Sequence, residues 1–251
     1  MLKLKIIGTS SSGNEFILDD NVSQLMLDCG INNSINHINV DNLSGIVISH
    51  CHLDHCRDCK ELSHYIKCHF YGNKTTVDTI PIQDYQKTTI DENKPVKIGN
   101  YNVLGFEVYH DMQNYGYLIK HMPSGLKILY IIDTSDISNL HFNNIDIFII
   151  ECNHSIEYIN NKEMLDYKDY RTISEFGHLP LESCIDFLEK NVNCNTKNIV
   201  LTHISRNYED YKDYEKRIQE IYPKINVIAV DPKLKKPLDI TLKEDLDINF
   251  D

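Results

Sequence analysis

No apolar run in this 251-residue chain approaches the roughly 20 residues that a membrane-crossing helix needs. The N-terminus, Met1-Leu2-Lys3-Leu4-Lys5-Ile6-Ile7-Gly8, alternates and then stops, without a long apolar segment or a small-residue cleavage site. It reads as a first strand and not as a signal peptide, so the expected place is the cytosol and no membrane partner is expected. In that compartment the eight cysteines should stay reduced, which excludes a disulfide frame. Basic residues are scarce: 25 Lys and Arg stand against 37 Asp and Glu, a net charge of −12. Lys233-Leu234-Lys235-Lys236 is the only compact basic cluster. Lack of a basic stripe disfavours a passive binder of long nucleic acid. It does not exclude a nuclease, because divalent metals carry positive charge that residue counting misses. Low-complexity linkers, helical repeats and shifts of composition are also missing, and a single domain over 1–251 is expected.

What is present is a globular composition, 41% hydrophobic and 25% charged. Short apolar segments at 2–7, 15–18, 24–28 and 45–49 read as strands separated by Gly, Ser and Asn turns. Residues 56–66 have helical spacing, with Leu62 and Ile66 on one face. Strand character returns at 96–109, 115–121, 127–133 and 146–150. The second half mixes amphipathic helices at 181–190 and 208–221 with strands at 198–201 and 227–230. Strands followed by alternating strand and helix predict an α/β fold, two sheets sandwiched between helices.

Four of these strands run into residues able to bind metal. Ile46-Val47-Ile48 leads to Ser49-His50-Cys51-His52-Leu53-Asp54-His55; His110, Asp133 and His203 each follow a later apolar strand. Strand ends are where a rigid sheet holds side chains most closely in place. His50 and His52 face one way if the backbone stays extended, while Asp54 and His55 lie around the next turn. Imidazole with carboxylate suits Zn²⁺, Mn²⁺ or Fe²⁺ better than Ca²⁺ or Mg²⁺.

His50-Cys51-His52-Leu53-Asp54-His55 matches the HxHxDH motif, and with it the chain resembles the metallo-β-lactamase superfamily over nearly its whole length. Leu27-Asp28-Cys29-Gly30 is similar to that superfamily's early Asp-x-Gly turn. The resemblance implies an αββα sandwich of two mixed β-sheets flanked by helices, and two divalent ions per chain, Zn or Mn. It implies that His50, His52 and His110 hold one ion and Asp54, His55 and His203 the other, with Asp133 between them. Cys56 and Cys59 form a CxxC at the start of the following helix. Without a thioredoxin-like setting, the expectation for them is reduced thiols near a helix start.

Gly8-Thr9-Ser10-Ser11-Ser12-Gly13-Asn14 resembles the Ser-rich Gly-Asn loop of the bacterial exonuclease-like branch. His110-Asp111 before Gly116-Tyr117, and Gly177-His178-Leu179-Pro180, resemble further segments of that branch. Glu151 after Ile149-Ile150, and Leu201-Thr202-His203-Ile204-Ser205, are similar to tRNase Z. Cyclic-nucleotide phosphodiesterases, including those that phages use against Pycsar defence, share the same core. All three groups cut phosphodiesters, so the implied partner is a phosphodiester substrate, nucleic acid or cyclic nucleotide; a homodimer is an open expectation.

In such a site two metals roughly 3.5–4 Å apart share a bridging water for in-line attack. Asp54 is expected to take a proton from it as catalytic base. His178 is expected to act on the leaving oxygen, with Glu151 either orienting it or capping a turn. Ser11, Ser12 and Asn14 are candidate phosphate donors, or simply a turn. The chain has no long Gly-rich basic arm like that of tRNase Z and no inserted β-CASP domain. Tyr158, Tyr167, Tyr170 and Arg171 are either a base-stacking lid or packing residues. A thioester or lactone hydrolase uses the same metal set and is the reading outside the class.

Overall fold

A computed structural model describes residues 1–174, 177–206 and 210–242. Strands β1 (Leu2–Gly8), β2 (Glu15–Asp19), β3 (Gln24–Leu27), β4 (Leu43–Val47), β5 (His69–Gly72) and β6 (Lys87–Thr89) form most of one sheet. The other sheet runs in order from β13 (Asn226–Ala229) through β12 (Asn198–Thr202), β11 (Ile147–Glu151), β10 (Lys127–Ile131), β9 (Asn114–His121) and β8 (Tyr101–Val108) to β7 (Val96–Ile98). The last strand, β14 (Leu238–Leu242), returns to the first sheet and pairs antiparallel with β1. Each seven-stranded sheet is antiparallel on one side and parallel on the other, with β3–β4 and β10–β11 as the first parallel pairs. The two sheets thus repeat one pattern of pairings.

Side-chain alternation explains the layering. Ile147 and Ile149 face the space between the sheets, where they meet Leu4, Phe16, Leu27 and Val47 of the other sheet. Phe148 and Ile150, on the opposite face, pack under helices α6 (Leu181–Asn191) and α7 (Tyr211–Ile221). On the far side, Met26, Ile46 and Phe70 are covered by Cys56, Cys59 and Leu62 of the short helices α1 (Leu53–Cys56) and α2 (Cys59–Ser63). Each fully buried Leu, Ile or Phe contributes about 1.5–3 kcal/mol, and a one-residue slip would turn a strand's whole set outward. The result is the αββα sandwich. Among the described residues no helix is long and apolar enough to cross a membrane.

The structure corrects the expected elements in places. The helix expected over 56–66 is two short ones, because Asp58 at the break is tied elsewhere: its amide donates to Cys29 O at 3.0 Å and its carboxylate accepts from Ser34 N at 2.8 Å. The strand expected over 96–109 is the hairpin β7–β8, turned at Gly99, whose φ is +54°. Helix α7 starts at Tyr211, with the Asp210 side chain accepting from Lys212 N; residues 208 and 209 of the expected helix lie outside the described residues. Strands β5, β6 and β14 and helices α3 (Lys74–Thr79), α4 (Ile156–Asn160) and α5 (Tyr167–Thr172) were not expected from periodicity, being short or polar.

Candidate metal centre

The HxHxDH segment runs from the loop after β4, which holds His50 and His52, into α1, which holds Asp54 and His55. His110 follows β8, Asp133 follows β10, Glu151 ends β11 and His203 follows β12. The sandwich therefore brings strand ends of both sheets to one place. Three non-glycine residues there have left-handed backbones: Asp28 (φ 56°), Asp133 (φ 51°) and His203 (φ 51°). Each such conformation costs on the order of 1–3 kcal/mol and persists only where surrounding bonds hold it. Asn114 Nδ2 donates to the carbonyl oxygens of Ile132 (2.9 Å) and Asp133 (2.6 Å), and Asn153 Nδ2 donates to His203 O (2.7 Å).

Two donor sets share one carboxylate. His50, His52, His110 and Asp133 offer ligand atoms within 4.8 Å of one another, and so do Asp54, His55, Asp133 and His203. In the first set, His52 Nδ1 is 3.0 Å from His50 Nε2 and 3.3 Å from His110 Nε2. In the second, His55 Nε2 lies 2.9 Å from Asp133 Oδ2 and 3.6 Å from Asp54 Oδ2. A third overlapping set is Asp133, Glu151, His178 and His203.

The residues fit divalent ions. Ring nitrogens of three histidines converge, and the buried His110 Nδ1, Asp133 Oδ1 and His203 Nε2 have no hydrogen-bond partner. Although His203 Nδ1 is 2.9 Å from Asp133 Oδ1, its hydrogen bond goes to Glu151 Oε1 at 3.0 Å. Buried polar atoms left without a partner are costly, and a bound cation would satisfy Asp133 Oδ1 and His203 Nε2. The electrostatics agree. Burial depresses the His50 and His110 pKa values, keeping these rings neutral and able to coordinate. Burial also disfavours charge on Asp133, but His203 and His55 outweigh it and hold the carboxylate well below its usual range. For His203, burial is outweighed by Asp133 and Glu151, and its pKa rises to about 10. The acids around that ring thus call for a positive charge that an ion or a proton can supply.

The supporting residues are mostly ones that sequence reading left without a role. The fully buried Asp28 accepts a hydrogen bond from His55 Nδ1 at 2.8 Å, accepts from Ser49 N and Oγ, and also accepts from the Tyr130 hydroxyl. Asp28 stood in a recognised turn motif, but nothing local showed which side chain it would meet. Gly30 follows because a Cβ there would lie 1.7 Å from Asp54 O. Asn14 is buried rather than open to substrate: its amide donates to Asp54 O at 2.7 Å, and its Nδ2 lies 3.0 Å from His55 Nε2. Ser11 and Ser12 are exposed on the same loop. Glu151 Oε1 accepts from His178 Nδ1 at 2.7 Å, which brings His178 beside the donor sets. The backbone on either side of His178 is pinned by Asn153 N to Leu179 O (2.9 Å) and by His178 N to Thr172 O (3.0 Å).

Tyr167 and Tyr170 are exposed on α5, while Cys56 and Cys59 lie buried under the first sheet. Burial pushes the Cys56 thiol up to about 12, which removes its reactivity at neutral pH.

Known proteins agree with this architecture. An exodeoxyribonuclease named WalJ from Streptococcus pneumoniae is 25% identical over 221 residues, covering 81% of this chain and 82% of that protein. The metallo-β-lactamase fold protein YhfI of Bacillus subtilis superposes with a TM-score of 0.70 at 15% identity, covering 96% of this chain and all of the other. Human tRNase Z, short form, superposes with a TM-score of 0.63 at 18% identity, covering 96% and 99% of the two chains. The model of the β-lactamase superfamily domain matches residues 25–204, which include all seven residues of the two donor sets. The chain belongs to the β-lactamase superfamily.

Proposed function

We propose that this chain is a binuclear metal-dependent phosphodiesterase acting on nucleic acid. The observation that carries the reading is the pair of donor sets joined at Asp133, with the Glu151–His178 hydrogen bond directly alongside. A relative named as an exodeoxyribonuclease supports nucleic acid as the substrate. His50, His52, His110 and Asp133 would hold one ion, and Asp54, His55, Asp133 and His203 the other, as Zn²⁺ or Mn²⁺. Metal bound by these residues would neutralise a phosphodiester's charge and acidify a water.

The chain's own residues do the rest. Asp54, one-fifth exposed, is the carboxylate with access to the attacking water and accepts its proton. Glu151 accepts the Nδ1–H of His178; when the ring is in its imidazolium form it carries a second proton on Nε2, and that proton goes to the leaving oxygen. Asp28 likewise accepts the Nδ1–H of His55, leaving Nε2 as the nitrogen that would bind an ion. A cytosolic site of action and a single domain over 1–251 belong to the same reading.

The acidic net charge of −12 favours a second reading, a small substrate such as a cyclic nucleotide. The test is one panel: single- and double-stranded DNA, RNA, cyclic mononucleotides and bis(p-nitrophenyl) phosphate, each with Mn²⁺ and Zn²⁺, on protein of measured metal content. Cleavage of DNA or RNA with about two ions per chain is the expected result. Turnover of cyclic nucleotides with polymers untouched selects the second reading. Activity on none of these, with thioesters or lactones turned over in a parallel assay, would remove both.

A further inference from the structure

The loop between β1 and β2 has two sides. One side supports the donor sets: Thr9 Oγ1 accepts from His203 N at 2.8 Å, and Asn14 N donates to Asp54 O. The other side lines a groove of about 360 Å³ that contains Arg57 and Arg206. Arg57 Nη1 donates to Ser12 O at 2.9 Å; Arg206 donates through Nη2 to Ser10 Oγ at 3.1 Å and through Nε to Pro232 O at 2.8 Å. All three acceptors are neutral. Among the described residues neither guanidinium is paired with a carboxylate, although acids outnumber bases in this chain by 37 to 25. A guanidinium has five N–H donors, so most of these are left for a ligand.

The groove also gathers what the sequence keeps apart. Its apolar surface includes Ile7, Ile31 and Leu234, and Leu234 belongs to the Lys233-Leu234-Lys235-Lys236 cluster. The three lysines stand next to Leu234 in the chain and are exposed. Two of the chain's four arginines, and Leu234 of its one compact basic cluster, therefore line the back of the loop that braces His203 and Asp54. Apolar walls with a cationic border suit a nucleotide unit: sugar and base against Ile7, Ile31 and Leu234, phosphate on the guanidiniums. A cyclic mononucleotide has one phosphate, which the metal centre would occupy, and would have no use for a second cationic position.

We infer that this groove binds a second phosphate of a nucleic-acid strand, away from the bond being cut, through Arg57 and Arg206, with the lysine cluster continuing the track. The inference rests on the nucleic-acid reading above, and its test separates the two. Binding of a labelled, phosphorothioate-protected single strand of about 20 nucleotides, longer than a typical ~4–16-nucleotide site, is followed by fluorescence anisotropy across a salt series. The metal-loaded full chain is used throughout. Arg57→Ala with Arg206→Ala should raise Kd by at least about tenfold and flatten the log Kd–log salt slope by about 1.4, the loss of two phosphate contacts on a single strand. Lys235→Glu with Lys236→Glu, at residues that make no hydrogen bond or ion pair with the loop, should shift both quantities the same way. A control that removes Lys74 and Lys94, paired with Asp78 and Asp91, should leave Kd within about twofold. Unchanged Kd in the arginine variant overturns the inference. So does weaker binding at an unchanged salt slope, which would mean a distorted loop, and so does a wild type that fails to bind the strand. Arginine-dependent binding without cleavage of any nucleic acid would uphold the groove and sink the nuclease. Cleavage indifferent to the arginines would do the reverse.

Discussion

Asp28 Oδ2 holds the Nδ1 proton of His55 across 2.8 Å, joining residues 27 positions apart in the chain. Both side chains are fully buried. This bond fixes the ring's tautomer and leaves Nε2 facing Asp133. A carboxylate behind a metal-binding imidazole typically accounts for about 10–100-fold in metal affinity. Asp28→Asn should therefore weaken binding at the second donor set by that factor while leaving the His50–His52–His110 set loaded. Competition with a graded chelator, followed by metal analysis, reads this; equal loss of both ions would contradict it.

His178 and Glu151 should separate catalysis from metal binding. His178→Ala should slow cleavage by roughly 10²–10⁴-fold with metal content unchanged. Glu151→Gln keeps the shape but removes the charge that His178 and His203 both use, so its loss should be smaller in rate and accompanied by weaker metal retention. Steady-state kinetics with metal analysis on the same samples decides. Loss of metal in His178→Ala would make it a ligand instead.

Gly30 is a steric requirement, not a matter of backbone freedom. Its missing Cβ would lie 1.7 Å from Asp54 O and 2.9 Å from His55 N. Gly30→Ala should displace the start of α1, cost about 1–3 kcal/mol or more, and empty the second donor set before the chain unfolds. Gly125→Ala is the comparison: φ is +77° with nothing within 4 Å, so it should cost about 1–2 kcal/mol of backbone strain and no metal. Urea midpoints and metal content of the two variants test the contrast.

Far from the metal centre, Asp20 pairs with His121 Nε2 at 3.0 Å. Burial raises the Asp20 pKa, but His121, Asn100 and the amides of Ser23 and Val22 outweigh it and bring it from 3.8 to about 2. Because the folded value is depressed, the stabilisation is present above the unfolded pKa near 4 and is lost as pH falls through about 2. Asp20→Asn should be less stable than the parent at pH 7, with the difference closing between about pH 4 and 2. Denaturant titrations at the two ends measure it; a difference that widens in acid would contradict the assignment.

The sequence by itself determined the parts that are local. His50, His52, Asp54 and His55 lie within six positions, and His110, Asp133 and His203 each stand just beyond an apolar strand. Strand alternation was legible because it reports which face is buried, and burial is a property of each short segment. Only the tertiary structure decided which carboxylate meets which imidazole. Asp28 reaches His55, Glu151 reaches His178, and Arg206 lines the same groove as Arg57 because sheet registers and the packing of two sheets bring them there. The same physics broke the helix expected over 56–66, since Asp58 bonds to Cys29 and Ser34, and turned Asn14 inward against Asp54. Periodicity records how a segment meets the core; it carries no record of the partner that long-range packing brings to it.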